Sequence, residues 1–345
     1  MLTHGYVVDG QGKKMSKSVG NVVAPGEVIE KYGAEILRLW VSSEEYRDDI
    51  KVSDEILKQV SDSYRKIRNT IRYMLGNLSD FDPEKNCVAH DKLPELDRWA
   101  LAKFDELLSR VKENYEQYEF HSIYQSLNYF CGITMSSFYL DILKDRLYVS
   151  GTDSPLRRSA QTVLFTILDG LLRLLAPVLC FTAEEAWNHL YSLDPKAPFE
   201  EGVFFADFPK KPAGVKYNRE MMEKWEQLIR VRSEITKALE IARREKVIGH
   251  SLEAEVLLRS EGDLKKFVES EWETIKEISI ISKLSRFDDE KDEGILFESE
   301  EMEGLKIRVV AAPGEKCERC WIRSITVGKD QNHPRICERC AGVVS

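Results

Sequence analysis

"DGQGKKMSKSVGN", residues 9–21, gathers Lys13, Lys14 and Lys17 in one short stretch of a chain whose formal net charge is −9. Gly10, Gly12 and Gly20 make its backbone permissive, and Ser16 and Ser18 interleave hydroxyls with the ammonium groups. A solvated loop tip explains such a cluster. So does a flap that folds over a polyanion and offers lysines and hydroxyls to phosphate oxygens. The flanks decide where it belongs. "LTHGYVVDG" (2–10) reads as a short strand turning at Asp9-Gly10. "APGEVIEKYGAEILRLWV" (24–41) has a helical rhythm after Pro25, with Ile29 seven residues before Ile36. A strand, a loop and a helix cannot enclose a core, so residues 1–48 are expected to be the trailing edge of a larger α/β domain.

The 345 residues suggest about two or three domains. An apolar fraction of 43% and a charged fraction of 32% are those of a soluble protein with real cores. Residues 1–20 hold no uninterrupted apolar segment of a secretory signal. The most membrane-like run, "VLFTILDGLLRLLAPVLCF" (163–181), is interrupted by Asp169, Arg173 and Pro177 and reads as a buried bundle helix. Charge is unevenly spread. Residues 288–303 hold nine acids and one lysine, the composition of a solvated loop, whereas 306–345 hold eight Lys/Arg against four acids. A basic tail on an acidic chain hints at a polyanionic partner.

Residues 49–212 are expected to form an antiparallel helical bundle. In "SDEILKQVSDSYRKIRNTIRYMLGNL" (53–78), Ser53 can cap a helix, and Ile56, Val60, Ile67, Ile71, Met74 and Leu78 recur at helical spacing. Arg65, Arg68 and Arg72 form a second stripe, either a solvated face or a row facing RNA. Further helices are expected over 93–116, 119–148 and 155–175, the last opened by Ser154-Pro155. Thr182 and Glu185 have the spacing of a capping box for the next. Four prolines in "DPKAPFEEG" and "FPKKPAG" mark a boundary near 195–214. Residues 213–312 then read as a small α/β unit: a long helix over 218–246, a strand in "LEAEVLLRS" (252–260), a helix over 262–277, and strands in "ISIISKLSRF" (278–287) and "LKIRVVAA" (305–312). The fold class is mostly α, with an α/β remnant before the bundle and a small α/β domain after it.

Of seven cysteines, Cys131 and Cys180 stand in apolar helical contexts and read as small buried hydrophobes, and Cys87 is isolated. The other four read "CERCW…CERC": Cys317-x2-Cys320, sixteen residues, then Cys337-x2-Cys340. Two thiolate pairs so spaced can converge on one tetrahedral zinc. An odd cysteine count and no signal segment argue against disulfides. His333 lies between the pairs, but four thiolates already fill the site. The zinc is expected to be structural. A module over 313–345 is too small to hold together by burial, so the metal would supply its folding energy. It would carry Trp321, Arg319, Arg323, Arg335 and Arg339, groups suited to stacking on bases and meeting phosphates. Trp321 could equally pack on the zinc site.

In this company "KMSKS", Lys14–Ser18, resembles the second signature of the class I aminoacyl-tRNA synthetases, and its flanks resemble the isoleucyl, valyl and leucyl group. "SYRKIRNTIRYMLGNLSDFDP", "ELDRW", "FYLDILKDRLY" and "APVLCFTAEEAW" resemble that group's helical anticodon-binding domain. The closing cysteines resemble the C-terminal zinc module of the bacterial isoleucyl enzymes. The resemblance implies a cytoplasmic ligase, monomeric when whole, that joins isoleucine to its tRNA using ATP with Mg, with no membrane role. It places Lys14, Met15, Ser16, Lys17 and Ser18 at the ATP site, with Lys17 and then Lys14 as the catalytic cations. It places Arg65, Arg68, Arg72, Trp321 and Arg323 among tRNA contacts. The family's "HIGH" signature and editing domain have no counterpart in these residues. The chain is therefore expected to be the C-terminal part of such an enzyme, a truncated or split form, inactive alone, with isoleucine bound by the upstream region. The alternatives are a stand-alone zinc-containing tRNA-binding protein and, on the cysteines alone, a DNA-repair zinc-finger protein.

Overall fold

The computed structural model describes residues 2–192, 201–211, 217–287 and 294–345. The chain divides into two compact units, 1–141 with 158–216, and 142–157 with 217–345. Of the expected boundary at 195–214, residues 195–200 and 212–214 lie outside those described.

The first unit begins with a crossover. Strand β1 (Val7–Asp9) pairs in parallel with β2 (Ile50–Val52), Val8 opposite Lys51. Parallel strands cannot be joined by a tight turn; here the lysine loop and helices α1 (Pro25–Tyr32) and α2 (Ala34–Ser43) make the connection. The helical rhythm of 25–41 is cut at Gly33, whose φ of +90° ends α1 and opens α2.

The bundle follows. Helix α3 (Asp54–Asn77) is capped by Ser53, whose hydroxyl accepts from the Ile56 amide, and buries Leu57, Val60, Ile67, Ile71 and Met74. A short turn, α4 (Pro83–Asn86), leads to α5 (Glu95–Glu116). The expected helix over 119–148 exists as three contiguous parts: α6 (Phe120–Tyr129), a π-helical stretch (Phe130–Tyr139) and α7 (Leu140–Tyr148). The widened turns meet α3, where the Thr70 hydroxyl lies 2.8 Å from that of Ser136 and 3.2 Å from the Cys131 carbonyl. Helix α8 (Pro155–Leu175) starts at the expected proline. Its Val163, Leu164, Ile167, Leu168, Leu171, Leu172 and Leu174 have no exposed surface, which is why this stretch is apolar on nearly every side. No described helix is long and apolar enough to cross a membrane.

Helix α9 (Cys180–Leu190) departs from expectation. It starts two residues before Thr182, so the Thr182–Glu185 capping box does not form. Its first amides are satisfied from α2 instead, by the Glu35 carboxylate, which accepts from Phe181 and Thr182 at 3.2 Å each. The Thr182 hydroxyl pairs with Tyr64 of α3. Cys180, expected to be buried, is only partly so and has its thiol against the same carboxylate; Cys131 is fully buried.

The second unit holds α10 (Arg219–Arg244), capped by Asn218, and a four-stranded sheet of order β4-β3-β6-β5. Strands β3 (Ala254–Arg259) and β4 (Lys283–Arg286) are parallel, joined through α11 (Gly262–Ser270) and α12 (Trp272–Ser279). Strands β5 (Ile295–Glu298) and β6 (Lys306–Ala311) complete it in antiparallel fashion. Three expectations change here. The helix over 262–277 is two helices meeting at Glu271. The strand read across 278–287 begins only at Lys283, because Ile278 and Ser279 close α12 and Ile280 turns to φ +53°. The acid-rich stretch is not all loop: Ile295–Glu298 is an edge strand, with Glu298 paired 2.7 Å from Lys306, while 288–293 lie outside the described residues. The cysteine module ends the unit with a two-stranded hairpin, β7 (Glu315–Lys316) and β8 (Arg323–Ser324), and helix α13 (Glu338–Val344).

Candidate functional sites: a clasped lysine loop and a four-cysteine cluster

The lysine loop leaves β1 at Asp9 and returns to helix at Pro25. Asp9 organises its base. One carboxylate oxygen accepts the amides of Gln11 and Lys13 at 2.9 and 2.8 Å, and the other accepts the Asn21 side-chain amide at 2.8 Å. Asn21, followed by Asp9's own amide contacts, holds the Asp9 carboxyl below the usual carboxylate range. The Asn21 carbonyl oxygen accepts the Ser16 amide at 2.9 Å, and the Val23 amide reaches the Met15 sulfur at 3.5 Å. The Ser16 and Ser18 hydroxyls lie 3.2 Å apart. Gly12 and Gly20 take φ of +79° and +74° at the two bends. Lys14 and Lys17 are exposed and join no ion pair among the described residues. The loop thus has an ordered base and a cationic rim. In the sequence Asp9 was read only as a turn residue and Asn21 was given no role, although both are residue types that bond nearby backbone in turns.

The arginine stripe of α3 is mostly engaged. Arg65 pairs with Asp62, and Arg68 reaches Glu185 of α9 at 3.0 Å. Arg72 is exposed and joins no ion pair among the described residues. A further group of metal-ligand type, Glu45, Glu119 and His121, went unread in the sequence; its two carboxylates are held by Arg47.

The four cysteines converge. All are buried, and their sulfurs lie within 4.8 Å of one another. The Cys320 and Cys337 sulfurs are 3.8 Å apart. A regular tetrahedron with metal–sulfur bonds of about 2.3 Å has edges of about 3.8 Å, the length of the Cys320–Cys337 edge, so the cluster is compatible with zinc. Burial raises the Cys320 and Cys340 thiols. Burial also works to raise Cys317, but the amides of Cys320, Cys337 and Arg319 outweigh it and bring that thiol to about 6. Four thiolates this close repel one another, so full ionisation calls for a divalent cation. Four sulfurs leave no open position, the mark of a structural site.

The module is tied to residues 142–157 of its own unit. Arg339 makes two bonds to the Asp145 carboxylate, at 2.8 and 2.7 Å, and Arg319 donates to the Val149 carbonyl at 2.6 Å. Arg323 gives its Nε to the Ala312 carbonyl and its backbone amide to the Ser282 hydroxyl. Arg335 faces Glu318 at 3.4 Å. Trp321 does not pack on the cysteines. It stands 59% exposed with φ of +64°, and the Lys316 ammonium lies 5.8 Å from its ring centre.

Comparison with known proteins agrees with these features in order. Residues 1–53 match the tRNA synthetases class I (I, L, M and V), 97–258 the anticodon-binding domain of tRNA ligase, and 314–342 the zinc finger found in FPG and IleRS. The chain is 65% identical over 344 residues to an isoleucine--tRNA ligase of Desulfotalea psychrophila. It is 53% identical to that of Syntrophotalea carbinolica and 50% to that of Geobacter sulfurreducens. Each alignment takes in 100% of this chain and 36% of the relative. With its lysine loop, helical bundle and cysteine cage in that order, the chain matches the class I tRNA synthetases, their anticodon-binding domain and the zinc finger of IleRS segment by segment, and along its whole length it is similar to about a third of the isoleucine--tRNA ligases.

Proposed function

We propose that this chain supplies the ATP-site loop and the tRNA-gripping part of an isoleucine–tRNA ligase, which converts ATP, L-isoleucine and tRNA(Ile) to Ile-tRNA(Ile), AMP and pyrophosphate. The observation that carries this reading is the lysine loop itself: an ordered base holds Lys14 and Lys17 out with their charges uncommitted. When isoleucine attacks the α-phosphate of Mg-ATP, charge redistributes over the phosphates. An ammonium placed there stabilises the transition state electrostatically. Lys17 has that role, with Lys14 second; Met15, Ser16 and Ser18 shape the loop around the phosphates. Cys317, Cys320, Cys337 and Cys340 would hold a zinc that fixes the fold of the last module and leaves the chemistry alone. Arg65, Arg68, Arg72, Trp321 and Arg323 are the proposed tRNA contacts; of these Arg65, Arg72 and Trp321 are exposed and Arg68 and Arg323 are half-buried. The site of action is the cytoplasm.

The test is isoleucine-dependent ATP–pyrophosphate exchange. This chain alone is expected to show none. Joined to the upstream part of the Desulfotalea psychrophila ligase it is expected to show exchange, and Lys17→Ala should reduce the rate by about a hundredfold or more. Exchange by the chain alone, or full activity of Lys17→Ala, would overturn the assignment. Filter binding of tRNA(Ile) against tRNAs of altered anticodon checks the other end. Equal affinity for all would leave a general RNA clamp, because phosphate contacts carry no sequence information.

A further inference from the structure

Asp9 and Asn21 bracket the lysine loop, and the phosphate chemistry proposed above gives neither a task. Asp9 is the last residue of β1, fixed to β2 by its register with Val52. Asn21 stands on the other side of the loop, ahead of α1. Their side chains meet at 2.8 Å, and each also binds loop backbone: Asp9 takes the Lys13 amide, and Asn21 takes the Ser16 amide and reaches the Lys14 carbonyl at 3.3 Å. The Asn21 amide can face only one way, because its NH2 must meet a carboxylate and a carbonyl while its oxygen meets an N–H. Bonds therefore run without a gap from the sheet through Asp9 and Asn21 to Ser16. The Ser16 carbonyl in turn accepts from Val19 and Gly20, closing the turn on which Lys17 sits.

We infer that Asp9 and Asn21 form a clasp that positions Lys17, making them positioning residues for the phosphate chemistry of the loop. The inference rests on the reading that this loop serves ATP. Its chemical signature is donor–acceptor complementarity. Asp9→Asn leaves one acceptor oxygen where two are used, so its NH2 faces either the Asn21 NH2 or the Gln11 and Lys13 amides, and Asn21→Asp sets carboxylate against carboxylate. The exchanged pair, Asp9→Asn with Asn21→Asp, restores every bond except that to the Lys14 carbonyl, at unchanged net charge.

Amide hydrogen exchange on this chain reads the clasp directly. Each single variant should speed exchange at Lys13 and Ser16 by about tenfold or more, and the exchanged pair should return most of the protection. In the joined ligase, each single variant should lower kcat for pyrophosphate exchange by about ten- to a hundredfold while KM for ATP moves less than about threefold. The exchanged pair should recover it. A mere folding defect would not be rescued by swapping donor and acceptor. Unchanged protection in both single variants overturns the inference, as does an exchanged pair no better than either single variant. The two readings fail separately: a fully active Lys17→Ala sinks the phosphate assignment, whereas an inactive Lys17→Ala beside fully active single clasp variants sinks the clasp alone.

Discussion

Removing the Glu35 carboxylate should loosen a helix that lies far from it in the chain. Glu35 belongs to α2, yet its oxygens accept the first amides of α9, 146 and 147 residues away. Loss of a side-chain N-cap costs about 0.5–2 kcal/mol. Loss of a negative charge at a helix N-terminus adds about 0.3–1 kcal/mol. Glu35 is half-buried, so water replaces only part of what is lost, and Glu35→Ala should destabilise the first unit by about 1–3 kcal/mol. Glu185→Ala, which removes the acid of the capping box expected from sequence, breaks only the surface pair with Arg68 and should cost about 0–1 kcal/mol. Glu35→Gln keeps an acceptor without the charge and should fall between them. Urea unfolding followed through Trp187, buried on α9, gives the stabilities, and amide exchange at Phe181 and Thr182 localises the effect. If Glu185→Ala costs more than Glu35→Ala and leaves those two amides as protected in both variants, the cap assigned to α2 is wrong.

Cys337→Ser should abolish stoichiometric zinc, measured by atomic emission on the purified chain, and should expose 314–342 to protease, because the module has little else to fold around. Trp321→Gly should raise the stability of the module by about 1 kcal/mol, since it relieves a left-handed backbone at a bulky residue, while weakening tRNA affinity by about 1–3 kcal/mol if the ring stacks on a base; unfolding and filter binding read the two effects. Acid sensitivity has a named contributor in Asp54, whose carboxyl is held far below the usual range by Lys31 and then by Tyr32 and Lys58. A depressed carboxylate contributes above its unfolded value of about 4 and loses that contribution as the pH falls further. Asp54→Asn should therefore flatten the fall in stability below about pH 5, and unfolding curves from pH 7 to pH 2 would show the gap between variant and parent closing.

What could be read from the chain alone is what depends on near neighbours. Ser53 caps α3 because the amide it serves is three residues on, and Pro155 opens α8 because a proline fits a first turn. The cysteine cage was legible for a similar reason: each pair brackets a two-residue knuckle, and thiolates of that spacing have few other uses in a chain with no sign of disulfides. The lysine cluster of 13–17 was plain in the sequence, but the contact beneath it depends on Asp9 and Asn21 facing each other across twelve residues, which only a folded loop can arrange. Tertiary structure alone decided the rest. Glu35 takes the place of a capping box, Thr70 meets the widened π turns, and Arg339 spends its charge on Asp145, 194 residues earlier. Spacing along the chain fixes geometry only within a turn or two of helix. Beyond that, which polar group is satisfied by which depends on what packing brings within about 3 Å, and the residue types by themselves leave several partners equally acceptable.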